Sequence, residues 1–394
     1  MALGPAIHPV DDPAYELRIA SPRCVGVGDF DVPNVRAAYN RGSRPSHGSP
    51  EACDNWKMKK PPKLVTTHLI EHPSVQAWSR LAPLRVEPER IEILKRKEKG
   101  SVFRLGGVGA GDGDVIAKRC HLEKARVERF VYEQVLPKLP TSPLDYYGSV
   151  PDEDPRFAWL FMEDCRGEPY SSRRKGHRAV AARWLGLLHT TAASIQAPSG
   201  VPDRGLGHHR GHLDAIGPAL SPLRNLASVR EYGDGVLDRI EGLRERLAVS
   251  WEALEQLCAD VPQTVTHGDC LPRNFHIRAN GDGLRAAPFD WGGAGLGPAT
   301  TDLGQLALPR PGRQGPEPDH AAYGDSIREC WPDLDLERIR QLANLGQIFW
   351  GLKVIRRGLE EFDHDWHSHE LVLDNLKIYE SALARSVARI GDTP

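Results

Sequence analysis

The stretch from Thr264 to Trp291, TVTHGDCLPRNFHIRANGDGLRAAPFDW, holds an aspartate at 269, an asparagine at 274 and an aspartate at 290. Moving a phosphoryl group from ATP to a hydroxyl needs a carboxylate that receives or orients the hydroxyl proton. It also needs oxygen-bearing side chains that hold Mg²⁺ on the phosphates. Asp269, Asn274 and Asp290 supply that set. Any one of them alone reads as a turn, cap or strand-end residue; the three in this order point to joint chemistry.

Short β-prone runs must position them. TVTH precedes Asp269, FHIR follows Asn274 and Asp290 closes a third run, so a hairpin is predicted to gather all three. Upstream, SVQAWSRL reads as a short amphipathic helix, and IEILKRK, SVFRL and DVIAKR as strands of a small antiparallel sheet. HLEKARVERFVYEQVLPKL places Val127, Phe130, Val131 and Val135 at helical spacing, with Pro137 near its end; DYYGSV and FAWLFME follow as strands. After Asp164 helical periodicity takes over, in RAVAARWLGLLHTTAASI and again from Val236 to Cys258. Residues 197–233, broken by Pro, Gly and His, read as loop or insertion. Later helices start at Asp302, at Asp335 as a cap, and near Glu370, the last stopping near Gly391. The predicted fold class is α+β and bilobal: a small N-terminal antiparallel β-sheet lobe over 67–163 that binds nucleotide, and a larger, mainly α-helical C-terminal lobe over 164–394. Residues 1–66, rich in Pro, Gly, Ser and Asn, read as a poorly ordered or loosely docked extension.

Asp269 and Asn274 keep the D-x-x-x-x-N interval of a kinase catalytic loop, and Asp290-Trp291-Gly292 stands where that template has Asp-Phe-Gly. With HGDCLPRN, FDW and GPATTDL in order, the chain resembles the aminoglycoside phosphotransferase and choline kinase-like family of small-molecule kinases, which has a bilobal protein-kinase-like fold. The similarity runs from about Ile91 to Leu306. It implies an ATP- and Mg²⁺-dependent kinase acting on a hydroxyl of a small molecule, such as an aminoglycoside or other antibiotic, a sugar or an amino alcohol. In this reading Asp269 is the catalytic base, Asn274 and Asp290 are the Mg²⁺ ligands, His267 holds the loop's conformation and Asp302 buttresses it from below. Lys118, which ends VIAK, would pair the phosphates. Its acidic partner would be Glu128, in Glu128-Arg-Phe-Val-Tyr132, rather than Glu133 or Glu123. Lys99-Gly100-Ser101 would bring backbone N–H groups over the phosphates, and backbone groups of Phe161, Met162 and Glu163 would bind the adenine edge. GGVGAGDG at 106–113 matches neither Gly-rich phosphate motif and reads as a hairpin turn.

Two departures favour a small-molecule kinase over a protein kinase. Gly268 stands where the kinase loop has Arg, and only 302 − 290 = 12 positions separate Asp290 from Asp302, leaving little room for an activation segment. A pseudokinase-like binding scaffold is opposed by the intact set of polar residues. A formal net charge of −2 gives no basic field for nucleic acid, and no apolar run approaches the roughly 20 residues that span a bilayer. The N-terminus lacks a signal-peptide pattern, so cytoplasmic residence is expected. The seven scattered cysteines suggest reduced thiols. His208, His209 and His212, and the run DHDWHSHE from Asp363, offer metal-ligand types without a spacing motif. Glu360, Glu361, Asp363 and Asp365 read either as a solvated acidic helix end or, since the C-terminal helices line the acceptor pocket in the family resembled, as groups that would attract a cationic acceptor such as an amino sugar. Nothing specifies an oligomeric state.

Overall fold

A computed structural model of the chain describes residues 63–81, 87–97, 100–140, 144–280, 283–308, 316–363 and 367–391. Most of the expected extension, together with Lys99 and Asp365, lies outside the described residues. The β-prone runs register into one antiparallel sheet of six strands. These are β1 (Lys63–Val65), β2 (Ile91–Lys97), β3 (Gly100–Leu105), β4 (Val115–His121), β5 (Tyr146–Pro151) and β6 (Phe157–Glu163), in the order β1-β2-β3-β4-β6-β5. Lys63–Val65, placed by sequence within the extension, pairs with Ile91–Ile93 and forms the sheet edge.

Alternation along each strand divides two faces. Phe103, Ala117 and Phe161 pack outward beneath α1 (Pro73–Ser79), with its Val75 and Trp78. Val102, Ile116 and Leu160 point inward to α2 (Leu122–Phe130), whose helix widens through a π turn at Val131–Val135 and closes in a 3₁₀ turn at Leu136–Lys138. That inner core is continuous with Trp184, Val265, Phe289 and Trp291 of the helical part, so no solvent layer divides the two halves.

The remaining elements are β7 (Glu168–Pro169), α3 (Lys175–Ala193), α4 (Leu206–Leu223), α5 (Ala227–Tyr232), α6 (Val236–Val249), α7 (Trp251–Cys258), β8 (Gln263–Thr266), β9 (Phe275–Asn280), β10 (Gly283–Pro288), β11 (Gly295–Pro298), α8 (Thr301–Gln305), α9 (His320–Ile327), α10 (Leu336–Glu360) and α11 (His369–Gly391). The expected hairpin is β9–β10, Phe275 opposite Pro288, and β8 pairs instead with β11. Residues 197–233 correct the loop reading, since they contain α4 and α5. Leu213, Ile216, Leu220 and Leu223 form a buried stripe on α4, and that burial outweighs the backbone donors missing at Pro218 and Pro222. The continuous periodicity over 236–258 divides at Ser250 into α6 and α7.

Helices α8 and α10 meet at backbone distance. A Cβ on Gly304 would lie 1.9 Å from Ala343 O, and one on Gly346 would lie 1.8 Å from Thr301 O, so only glycine fits at either position. Among the described residues no helix is long and apolar enough to cross a membrane.

Candidate active site

Asp269 lies in the loop after β8, and that loop is fastened from below. Gly268 has φ +68°, and a Cβ there would meet Gly293 O at 2.2 Å, which excludes an arginine or any other side chain. Asp302, in the first turn of α8, accepts the backbone N–H groups of His267 and Gly268, the latter at 3.1 Å. His189 Nε2 lies 3.4 Å from the same carboxylate, while its Nδ1 is 2.8 Å from the Tyr323 hydroxyl. Burial alone would raise the Asp302 carboxyl, but the bond to His189 and the neighbouring His267 keep it below the ordinary range. Gln305 Oε1 accepts the Cys270 N–H at 3.0 Å. The His267 ring is fully buried, with Nε2 3.0 Å from Phe289 O and Trp291 packed 4.4 Å away between ring centroids. His267 and Asp302 therefore hold the loop from inside, facing no solvent.

The Asp269 carboxylate accepts from Asn274 Nδ2 and Arg273 Nη2, both at 3.0 Å on Oδ2. Lys353, from α10, lies 3.7 Å from Oδ1 and donates to Gly268 O at 2.9 Å. Burial pushes this carboxyl up, but Lys353 and then Arg273 outweigh it and hold Asp269 below the usual value. Asn274 also donates to Asp269 O at 2.8 Å. Its Oδ1 is buried without a hydrogen-bond partner, an open oxygen of the kind Mg²⁺ takes.

Asp290 adopts the left-handed region, φ +66°, between Phe289 and the turn Trp291–Gly293. This aims its carboxylate at β4, where Lys118 Nζ lies 2.6 Å from Oδ1. The same ammonium bonds Glu128 Oε1. Burial alone would lower the Lys118 value, but Asp290 and Glu128 raise it well above the ordinary one, so the lysine stays charged. Of the three acids considered on the helix, Glu128 is fully buried and paired with Lys118, Glu133 pairs outward with Arg129 at 2.9 Å, and Glu123 is exposed.

Gly100 and Ser101 open β3, with Gly100 opposite Cys120 and Val102 opposite Lys118. Gly100 and Ser101 thus lie at the Lys118 end of the sheet. The 106–113 turn closes the other end, where Gly107 N–H bonds Asp114 Oδ1 at 3.1 Å.

Phe161 and Met162 pair with both β4 and β5, Glu163 N–H bonds Asp145 O and Asp164 N–H bonds Asp114 O, each at 3.0 Å. These backbone donors are taken up by the sheet and its flanking residues. Arg104 of β3 clamps the chain after β6, its Nε 3.0 Å from Asp164 Oδ2 and its Nη1 bonded to Glu92. Burial pushes the Glu163 carboxyl up to about 7. The folded chain therefore holds this proton more tightly than the unfolded chain does. Glu163 thus contributes stability below its ordinary 4.5, and the contribution disappears as pH rises through about 7. Glu163→Gln is expected to flatten the melting midpoint between those values; an unchanged pH slope would remove Glu163 as its source.

Sequence reasoning missed Lys353 and Arg204, which reach the site from α10 and from the segment before α4. Arg204 Nε donates to Gly293 O at 3.0 Å. Arg273 stood inside HGDCLPRN and was the one signal available. Of the acidic residues expected near an acceptor, Glu360 lies 3.0 Å from Arg356 and Asp363 is exposed. His208, His209 and His212 lie on α4, with their ligand atoms within 4.8 Å of one another.

The profile of a phosphotransferase enzyme family matches residues 97–336. Among solved structures, the GDP complex of an aminoglycoside 2′-phosphotransferase mutant shares the fold at 13% identity, covering 80% of this chain and 97% of its own, with a TM-score of 0.57. A choline kinase from Cryptosporidium parvum does so at 12% identity, covering 77% of this chain and 90% of its own, with a TM-score of 0.52. No curated protein matches the chain.

Proposed function

The chain belongs to the phosphotransferase enzyme family, and we propose that it is an ATP- and Mg²⁺-dependent kinase that phosphorylates a hydroxyl of a small molecule. The observation that carries this reading is that two pairs, Lys118 with Asp290 and Asn274 with Asp269, are joined where Phe289 N–H bonds Asn274 O at 3.0 Å, next to Asp290. Lys118, braced by Glu128, positions the phosphates, and the β2–β3 turn at Gly100–Ser101 covers them. Asn274 Oδ1 and the Asp290 carboxylate hold Mg²⁺, which neutralises phosphate charge. Asp269, kept ionised by Lys353 and Arg273, orients the acceptor hydroxyl and takes its proton as the new O–P bond forms and the bond to the β-phosphate oxygen breaks. Aminoglycosides, sugars and amino alcohols are the acceptor classes implied by the sequence resemblance, and use of ATP fits cytoplasmic residence.

Calorimetric titration with ATP tests the nucleotide half: binding heat is expected with Mg²⁺ and a much smaller heat with EDTA. Absence of Mg²⁺-dependent heat would overturn the kinase assignment in favour of a non-catalytic scaffold.

A further inference from the structure

Beside Asp269, the wall formed by the segment before α4, the first turns of α4, and α10 is cationic. Arg204, anchored on Gly293 O, brings Nη1 to 3.4 Å from His208 Nε2. Arg356 Nη1 lies 3.4 Å from His212 Nδ1, and Lys353 stands between this wall and Asp269. Arg204, His208, Lys353 and Arg356 are each partly exposed, so solvent reaches this wall, while His212 is buried behind it. Among the described residues, no carboxylate lies within ion-pair distance of Arg204. Arg356 Nε is buried and, although 3.0 Å from Glu360 Oε1, sits outside hydrogen-bonding angles and has no acceptor. His209 Nδ1 is likewise buried without a partner, its ring stacked on Phe349 at 3.8 Å.

Such a wall repels an amino sugar and attracts an anion. Burial, the neighbouring imidazoles and the adjacent cations hold His208, His209 and His212 below the ordinary histidine range, the last at about 4, so near neutrality they are uncharged and can offer N–H groups. A divalent metal on the same imidazoles would sit among Arg204, Lys353 and Arg356, which makes it the poorer occupant. Resting on the kinase reading of Asp269, we propose that the acceptor is a hydroxyl compound carrying an anionic group, a carboxylate or phosphate, received by Arg204, His208, Lys353 and Arg356. The anion would dock on guanidinium groups while its hydroxyl reaches Asp269 across Lys353.

Calorimetry on the full chain without nucleotide, using glucuronate, gluconate, glucose, glucosamine and inorganic phosphate, tests this. Both acids are expected to bind about tenfold or more tightly than glucose, as a charge-assisted contact allows, and glucosamine no better than glucose. Phosphate competing more strongly than gluconate marks a phosphate ester as the acceptor, and the reverse order marks a carboxylate. Arg356→Gln and Arg204→Gln are each expected to weaken glucuronate about tenfold, with Arg356→Lys losing less, in chains whose melting shows them folded. Preference for glucosamine, equal binding of glucuronate and glucose, or unaltered glucuronate binding in both Gln variants would overturn the proposal. Tight Zn²⁺ binding that displaces glucuronate and is lost in His208→Gln would overturn it in favour of a metal site. Since these heats are read without ATP, failure here beside intact Mg²⁺–ATP binding leaves the kinase reading standing, and the converse pattern isolates failure of that reading.

Discussion

Asp269→Asn is expected to lower turnover about 10²–10⁴-fold, the range for losing a positioned base, while Mg²⁺–ATP affinity changes little. Asparagine keeps the shape and can still accept from Arg273 and from Asn274, so the loop retains its hydrogen bonds. What it cannot do is take a proton. It also leaves Lys353 and Arg273 without the charge they now face across 3.7 and 3.0 Å. In the proposed mechanism nucleotide contacts would come from Lys118 and Asp290, on other elements, so ATP binding would separate from turnover. The check is steady-state ADP production alongside ATP calorimetry; undiminished turnover would remove Asp269 from the mechanism.

Lys118→Met is expected to affect stability as well as activity. Glu128 is wholly buried and Asp290 partly so, and both face this one ammonium. Removing one partner of a buried ion pair costs roughly 3–5 kcal/mol, which for a chain of this size lowers the melting midpoint by roughly 4–6 °C. Lys118→Met combined with Glu128→Leu should recover part of that loss, because the uncompensated carboxylate is gone, yet restore no turnover. Thermal melts of the single and double variants decide this. A Lys118→Met chain that melts like the parent would show that the pair carries no stability.

Local signals made much of the site legible. The β-prone runs, HGDCLPRN and FDW are contiguous patterns, whereas spacing left Glu128 and Glu133 competing for Lys118; only the resemblance favoured Glu128, and the packing of the helix against β4 pairs it with the lysine. Lys353 was invisible: it is one charged residue on a long amphipathic helix, and its meeting with Gly268 O depends on how α10 crosses α8. The α4 helix was hidden by its own composition, since Pro218, Pro222 and the flanking glycines are breaker signals that buried leucines override. The Phe161–Glu163 expectation placed a base-binding edge on a strand that turns out to be paired on both sides. Strand pairing is a tertiary fact that a run such as FAWLFME does not announce.

The two glycines at which α8 and α10 touch bind the Asp269 loop and the α10 part of the proposed acceptor wall into one mechanical body. Asp302 and Gln305 fasten the loop to α8, while Lys353 and Arg356 ride on α10, and backbone against backbone leaves no side chain between them to reorient. Motion that admits an acceptor must therefore come from α4 or from the sheet. A change of acceptor can accordingly be made by exchanging side chains on this rigid frame, with the register between base and wall left as it is.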